Sequence, residues 1–438
     1  MKQEKIMHCS RRLLLVVLVA VVGAVHVPAA HGETPQIARK LESGRKPFFE
    51  ETTLWANGED GVSSRAGYHV FGLVQAADGT VLAFSEARLQ GGDHTPHHLV
   101  AKRSTDGGRT WSKNIYIEKA DGSFWKANGQ PGKLETWTNH APVVDRETGR
   151  VFYFYALNEG TRHQRFTRVF YRYSDDNGLT WCPSRKDGTR IEVTKLFENN
   201  PHGWTFHMPG PGHGIQLRFQ HGRNKNRNGR LVIAVWHRHA VTANPRLYGV
   251  SLLVSDDHGK TWRHTGDAGI GYGMNEGRIV ELADGRILLN ARGGRGIRDG
   301  KPVNTARHRV CWHSRDAGET FGDPVLRDDL TRHACDSGMV RYAAVPEYRS
   351  NCLLFSRPGH PTKRAKMTVS MSTDEGKSWK CHKLIYDGPS GYSDLVVVSD
   401  RTIGLLYEKG GRGQNYAHHV AFARFNYEYL MREDQTDP

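Results

Sequence analysis

The sequence predicts an all-β chain folded as a six-bladed β-propeller, and three observations carry that reading. The first is an octapeptide, S-x-D-x-G-x-[TS]-[WF], found at residues 104–111, 174–181, 255–262, 314–321 and 372–379, with starts 70, 81, 59 and 58 residues apart. The second is an Asp-Gly turn running into apolar residues, at Asp78-Gly79 and Asp284-Gly285, with a variant ending on Gly149. The third is length: 438 residues, less an N-terminal leader, fit six units of four short strands with some long loops.

Each residue type in the octapeptide has a job in a tight hairpin. Ser and Asp side chains bond nearby backbone N–H groups and close a turn. Gly takes a positive φ that other residues resist. The Trp or Phe leads the next strand and buries a large ring. β-like runs precede the boxes, as in His98-Leu-Val-Ala-Lys-Arg-Ser104 and Tyr248-Gly-Val-Ser-Leu-Leu-Val-Ser255. Each unit therefore reads strand, turn, strand, strand, box, strand. The boxes are read as structural, placed on the periphery of each blade.

Composition excludes other classes. Aromatic residues at 10 % rule out disorder, and 48 glycines without a sustained heptad rule out a coiled coil. Residues 1–32 read as a signal peptide. Lys2, Lys5, Arg11 and Arg12 form its basic start, Leu13 to Val25 its apolar core, and Ala30-His31-Gly32 its cleavage site. The alternative is an uncleaved N-terminal anchor. The expected organisation is a leader at 1–32, a linker at 33–44, one propeller catalytic domain at 45–430 and a tail at 431–438. The mature protein is expected to be secreted or periplasmic, without stable membrane insertion.

The net charge of +15 points to acidic partners. No helix-turn-helix, zinc finger or RNA-binding signature accompanies it, and export argues against nucleic acid, so an anionic sugar is the better inference. Five cysteines remain beyond the leader, at 182, 311, 335, 352 and 381, and none forms a CxxC pair. They allow one or two disulfides with one odd thiol.

The five boxes resemble the Asp-box, or BNR, repeats of sialidases, and the resemblance covers nearly the whole mature chain. Tyr68-His69-Val-Phe-Gly-Leu73 sits where that family has its first arginine segment. Phe84-Ser-Glu86-Ala-Arg88, followed by Asp93, is similar to its acid/base segment. Asn275-Glu276 with Leu289-Asn-Ala-Arg292 resembles the segment of the catalytic Glu and second arginine. Arg364-Ala-Lys-Met-Thr-Val369 resembles that of the third. Gly388-Pro-Ser-Gly-Tyr392 is similar to the tyrosine-nucleophile segment, and Leu406-Tyr-Glu408 to that of the last supporting Glu. Gly210-Pro-Gly-His-Gly-Ile-Gln-Leu217 also resembles a segment of bacterial sialidase-like proteins.

The resemblance implies a six-bladed retaining glycosidase with Tyr392 as nucleophile, Glu276 as its base and Asp93 as acid/base. Arg292, Arg364, His69, Arg88 and Glu408 would form the substrate-binding set, and the partner would be a sialylated or other acidic glycan. A neutral phenol suits an anomeric carbon that bears a carboxylate, because an anionic nucleophile would be repelled. It needs a base within hydrogen-bond reach. Arginine binds carboxylate bidentately. No cofactor or metal is implied.

One departure stands out: the first arginine of the family's cluster falls on His69. Histidine has fewer donors and is only partly charged at pH 7, so carboxylate binding is expected to be weaker or favoured at low pH, or the acidic sugar differs. Arg65 is a candidate substitute. Other assignments have rivals: Arg295 for Arg292, and Lys363 or Lys366 for Arg364. Tyr392 and His69 could be core residues, Asp93 a turn former, Glu276 a solvated turn carboxylate, and Glu408 a lysine partner. Asp93, His94, His97 and His98 could chelate a metal, but adjacent strand histidines point to opposite faces. Two other functions compete: a propeller polysaccharide lyase acting on uronic-acid glycans, and a glycan-binding propeller without turnover.

Overall fold

The computed structural model describes residues 38–159, 166–239, 248–298, 301–306, 308–330, 335–410 and 418–432. The expected leader, the first five residues of the linker and residues 433–438 of the tail lie outside these residues. The described chain is built almost wholly of antiparallel strands, and the predicted all-β propeller is what they form. The first sheet runs Tyr68–Gln75, Val81–Arg88, His97–Ser104, Ile115–Glu118. The second runs Trp137–Val144, Val151–Asn158, Thr167–Ser174, Ile191–Glu192. The third orders Trp204–Pro209, Leu231–His239, Tyr248–Ser255 and Arg263–Ala268, and Ile215–Gln216 also pairs with its second strand. The fourth orders Gly277–Glu281, Ile287–Arg292, Arg309–Ser314 and Val325–Arg327, beside the hairpin Arg295–Arg298 and Lys301–Asn304.

The fifth sheet has seven strands, in the order Phe49–Ala56, His419–Phe425, Ile403–Lys409, Lys380–Val397, Ala365–Ser372, Cys352–Pro358 and Gly338–Ala343. Its long strand Lys380–Val397 pairs through its first half with Ala365–Ser372 and through its second half with Ile403–Lys409. The sheets follow one another around a ring. Tyr68–Gln75 touches Trp137–Val144 on one side and Lys380–Val397 on the other. Trp137–Val144 touches Trp204–Pro209, Leu231–His239 touches Gly277–Glu281, and Gly338–Ala343 lies between the latter and Lys380–Val397. The N-terminal strand closes the ring by pairing Phe49 with Phe425 and Ala56 with His419.

Burial follows position in the ring. Tyr68–Gln75 and Val81–Arg88 are buried along their whole length, whereas the outermost strands are half-exposed. The core is divided into clusters between neighbouring sheets. One of them joins Ala141, Val143, Phe152 and Phe154 of the second sheet to Leu231, Ile233, Leu253 and Trp262 of the third.

All five boxes close in the same way. In the first, Ser104 Oγ donates to Asp106 Oδ1 at 2.7 Å and accepts from Gly108 N at 2.8 Å. Asp106 accepts from Thr110 N at 2.9 Å and Thr110 Oγ1 at 2.6 Å. The set repeats at Asp176, Asp257, Asp316 and Asp374. The glycine also presses on the preceding sheet. A Cβ on Gly259, at φ +77, would meet the Phe152 ring at 2.0 Å, and one on Gly178 would meet Leu82 at 2.7 Å. The boxes thus join blade to blade as well as strand to strand.

The disulfides that the cysteine count allows do not form at Cys311, Cys335, Cys352 and Cys381, which are free thiols. Cys311, Cys352 and Cys381 lie on three separate strands, and Cys335 lies outside the strands. Cys352 and Cys381 share one core cluster, but Cys381 Sγ turns to Leu430 O at 3.6 Å. Among the described residues no helix is long and apolar enough to cross a membrane.

Candidate active site

The residues singled out by sequence lie at the starts of inner strands and the ends of their neighbours, at one end of the ring. Glu276 immediately precedes Gly277–Glu281, and Arg292 ends the strand paired with it. Arg292 N donates to Glu276 O at 2.8 Å, so the two stand opposite each other on the ladder. Their side chains meet too: Arg292 Nη1 donates to Glu276 Oε2 at 2.7 Å. Tyr392 lies on Lys380–Val397, within an irregularity between Ser390 and Ser393. Its Oη donates to Glu276 Oε1 and lies 3.0 Å from Arg292 Nη1. The Arg364 guanidinium stands 5.4 Å from the Tyr392 ring centre.

Glu408 and His69 form the opposite wall. Glu408 is fully buried and accepts from Tyr392 N at 2.9 Å; its other oxygen bonds His69 Nδ1. The His69 and Tyr392 ring centres are 4.4 Å apart. The backbone beside His69 is irregular, with a register shift between His69 and Phe71 and Val70 at φ +58. A β-branched residue resists that conformation, and such a bulge re-aims its neighbours. Arg88 is buried at the end of Val81–Arg88. It donates through Nε to Glu86 Oε2 at 2.8 Å and through Nη1 to Asp93 Oδ1 at 2.8 Å. The Asp93 side chain remains 75 % exposed.

The electrostatics set the resting protonation states. Burial pushes the Tyr392 phenol well above its ordinary value, and neighbouring Glu276 adds to this against Arg292 and Arg364. Burial works to raise Glu276 as well, but Arg292 and the Tyr392 O–H bring it below the usual carboxylate range. The pair therefore rests as neutral phenol and ionised carboxylate. The Arg88 guanidinium holds Asp93 well below the usual carboxylate range. Tyr392, Glu276, Arg292, Arg364, His69 and Glu408 thus meet in one cluster. Arg88 and Asp93 form a second pair at its edge.

The rivals lie elsewhere. Arg295 and Arg65 are exposed, and Lys366 pairs with Asp387 at 3.1 Å. Glu408 is bound to His69 and the Tyr392 backbone rather than to a lysine. His97 and His98 turn to opposite sides of their strand: His97 Nε2 bonds Gly92 O at 2.7 Å, while Ala120 N donates to His98 Nδ1 at 2.8 Å. Burial pushes His97 down to about 4, so it is a neutral strut under the Asp93 loop.

Sequence reasoning gave no role to Glu86, which is fully buried. It accepts from Thr138 Oγ1 and Asn139 N at 2.7 Å each, tying the Arg88 anchor to the second sheet. Strand alternation places Glu86 and Arg88 on one face and could have found it. Asp336, Arg278 and Asp394, buried beneath the cluster, were also missed as functional candidates. A cavity of about 750 Å3 lies at the opposite ends of the inner strands, where Gln75, Glu281 and His213 line it, away from Tyr392.

The matches with known proteins agree with this fold. The family model described as a BNR repeat-like domain matches residues 129–407, and that of the BNR/Asp-box repeat matches residues 102–113. A sialidase of Micromonospora viridifaciens is 30 % identical over 437 residues, covering 96 % of this chain and 60 % of that protein. A sialidase of Bacteroides fragilis is 26 % identical over 368 residues, covering 80 % of this chain and 61 % of that protein. The chain thus spans about three-fifths of the length of these relatives. Among solved structures, the Hadza microbial sialidase Hz136 aligns with a TM-score of 0.69 at 26 % identity, over 85 % of this chain and 68 % of that one. The intramolecular trans-sialidase from Ruminococcus gnavus shares the fold, with a TM-score of 0.66 at 19 % identity, over 88 % of this chain and 99 % of that one.

Proposed function

Because this chain belongs to the BNR repeat-like family of sialidase propellers, we propose that it is a retaining exo-glycosidase releasing a terminal sialic acid, or a related acidic sugar, from glycans. The observation that carries the reading is the Tyr392 Oη donating to Glu276 Oε1, with Arg292 touching both. Glu276 takes the phenol proton as Oη attacks the anomeric carbon. The bond from that carbon to the leaving oxygen breaks, and Asp93 supplies the proton the leaving oxygen gains. Asp93 then takes a proton from water, which attacks the same carbon, displaces Tyr392 and restores the phenol with the proton held by Glu276. Arg292, Arg364 and His69 hold the sugar carboxylate. Glu408 fixes the His69 ring and the Tyr392 backbone.

The acid role makes a specific demand. Asp93 must carry a proton in the first step, and its ion pair with Arg88 opposes this. Arrival of the sugar must part the two, exchanging a guanidinium for the glycosidic oxygen. In this reading the ring counts as six blades, the seven-stranded sheet being two that share Lys380–Val397. Residues 1–32 act as an export leader, which places the enzyme outside the cytoplasm. N-terminal sequencing of the mature protein checks this.

The test is release of phenol from an aryl α-sialoside between about pH 4 and pH 8, a range that spans histidine titration. The expected result is turnover by the wild type that Tyr392→Phe and Glu276→Gln abolish. No release by folded protein would sink the assignment. An unsaturated, ultraviolet-absorbing product from a uronic-acid glycan would establish the lyase instead.

A further inference from the structure

A second contact repeats the nucleophile–base pair one layer down. Side chains two apart on a strand share a face, so Arg278 lies below Glu276 and Asp394 below Tyr392. Arg278 Nη1 is 3.2 Å from Asp394 Oδ1, and its Nη2 donates to the carbonyl of Ser393, the residue after Tyr392, at 3.1 Å. The same guanidinium is paired with Asp336. Asp394 Oδ2 also accepts from Leu73 N at 2.9 Å and lies 3.0 Å from His213 Nδ1. Arg278 is 1 % exposed, and both carboxylates are fully buried.

The segment at residues 210–214 wraps this cluster, which accounts for a motif that the catalytic roles leave unused. Gly212 sits at φ +96, and a Cβ there would fall 0.9 Å from Arg278 Nη1. His213, beside it, supplies the contact to Asp394. Backbone or side chains from the first, third, fourth and fifth sheets thus converge on one guanidinium and its two acids.

On the footing of the function proposed above, we infer that Arg278, Asp394, Asp336 and His213 are positioning residues that set the register between Tyr392 and Glu276. Two carboxylates face one guanidinium, so the charge below Glu276 depends on a proton. Asp336 faces Arg278, Glu276, Arg309 and Cys335, and Asp394 faces Arg278, His213 and His140. Burial and then Glu276 push Asp336 up, to about 6, against Arg278 and Arg309. Asp336 is therefore the group whose proton changes the field on Glu276.

The experiment measures kcat, KM and the pH profile for an aryl α-sialoside in Asp394→Asn, Asp336→Asn and His213→Gln, alongside thermal unfolding. Asp394→Asn is expected to lower kcat by about ten- to a hundredfold, the scale of a misplacement near 1 Å, with KM changed less than about threefold. Asp336→Asn is expected to remove a limb near pH 6 from the kcat/KM profile. His213→Gln, which keeps a donor to Asp394, is expected to retain more activity than Asp394→Asn. If Asp394→Asn does not fold, the Asp336→Asn profile decides. Folded variants with wild-type kcat and an unaltered profile would overturn this inference alone. An inactive wild type would overturn the proposed function and this inference with it.

Discussion

Replacing Arg88 by Met should unmask the cost of a buried carboxylate. Arg88 is 5 % exposed and is the only guanidinium among the described contacts of Glu86. Its removal leaves Glu86, at 0 % exposure, with Thr138 Oγ1, Asn139 N and a neutral His97. In the wild type, burial works to raise Glu86, but Arg88 outweighs it, joined below about pH 4 by the protonated His97 ring, and the carboxyl falls from 4.5 to about 2. That depression is about 3 kcal/mol of stability, in line with the roughly 3–5 kcal/mol lost when a buried pair is broken. Exposed Asp93 adds less than about 1 kcal/mol. The sign with pH follows. A depressed carboxyl contributes fully above its unfolded value and loses that contribution as pH falls toward 2. In Arg88→Met burial alone lifts Glu86 above its unfolded value, so the penalty appears as pH rises. Urea unfolding should show a deficit of about 3–5 kcal/mol at pH 7 and a smaller one at pH 5. A deficit below about 1 kcal/mol at pH 7, or one equal at both pH values, would refute the reasoning.

Gly259 and Gly129 share φ +77, but a Cβ added at Gly259 would strike the Phe152 ring, whereas one at Gly129 would meet nothing within 4 Å. Gly129→Ala should cost about 1–2 kcal/mol and Gly259→Ala about 1–3 kcal/mol more, measured by thermal unfolding; equal costs would count against the blade-to-blade role of the box. Burial pushes the Cys311, Cys335 and Cys352 thiols up to about 12, so in native protein iodoacetamide should spare these three while labelling half-buried Cys381, with all four labelled in denaturant without reductant. Peptide mass spectrometry reads this, and a thiol still protected in denaturant would reveal a disulfide. Burial lowers His97 and His140 to about 4 and His207 to about 3. Stability from such groups is full above 6.5 and drains as pH falls, by up to about 1.4 kcal/mol per histidine per unit, with Asp336 working in the opposite sense. Unfolding free energy that stays flat from pH 7 to pH 5 would contradict this.

The repeats were legible because their chemistry is local. Ser104, Asp106, Gly108 and Thr110 bond one another within a single turn, so the sequence holds every partner. The cluster around Tyr392 was legible only through family resemblance, since its members come from distant strands. Nothing local marks Arg278 as the partner of Asp394, or predicts that Gly212 must be small to let a guanidinium pass. The disulfides that the cysteine count left open were undecided for a related reason. Cysteine count says nothing of where thiols point, and Cys381 points to a backbone carbonyl. The departure at His69 was readable as a substitution, but its fastening to Glu408 became visible only once Tyr68–Gln75 and Ile403–Lys409, from near the first and last described strands, were brought together.

That meeting of first and last also governs assembly. The strand at Phe49–Ala56 is made some 370 residues before its partner at His419–Phe425. Until synthesis reaches that point, the earliest strand has no neighbour on the ladder and the barrel-like wall stays open, with an edge available for wrong pairing. Nicking or shortening the carboxyl end would therefore strike the strand at Phe49–Ala56 as hard as its own, loosening the seam at the edge of the fifth sheet.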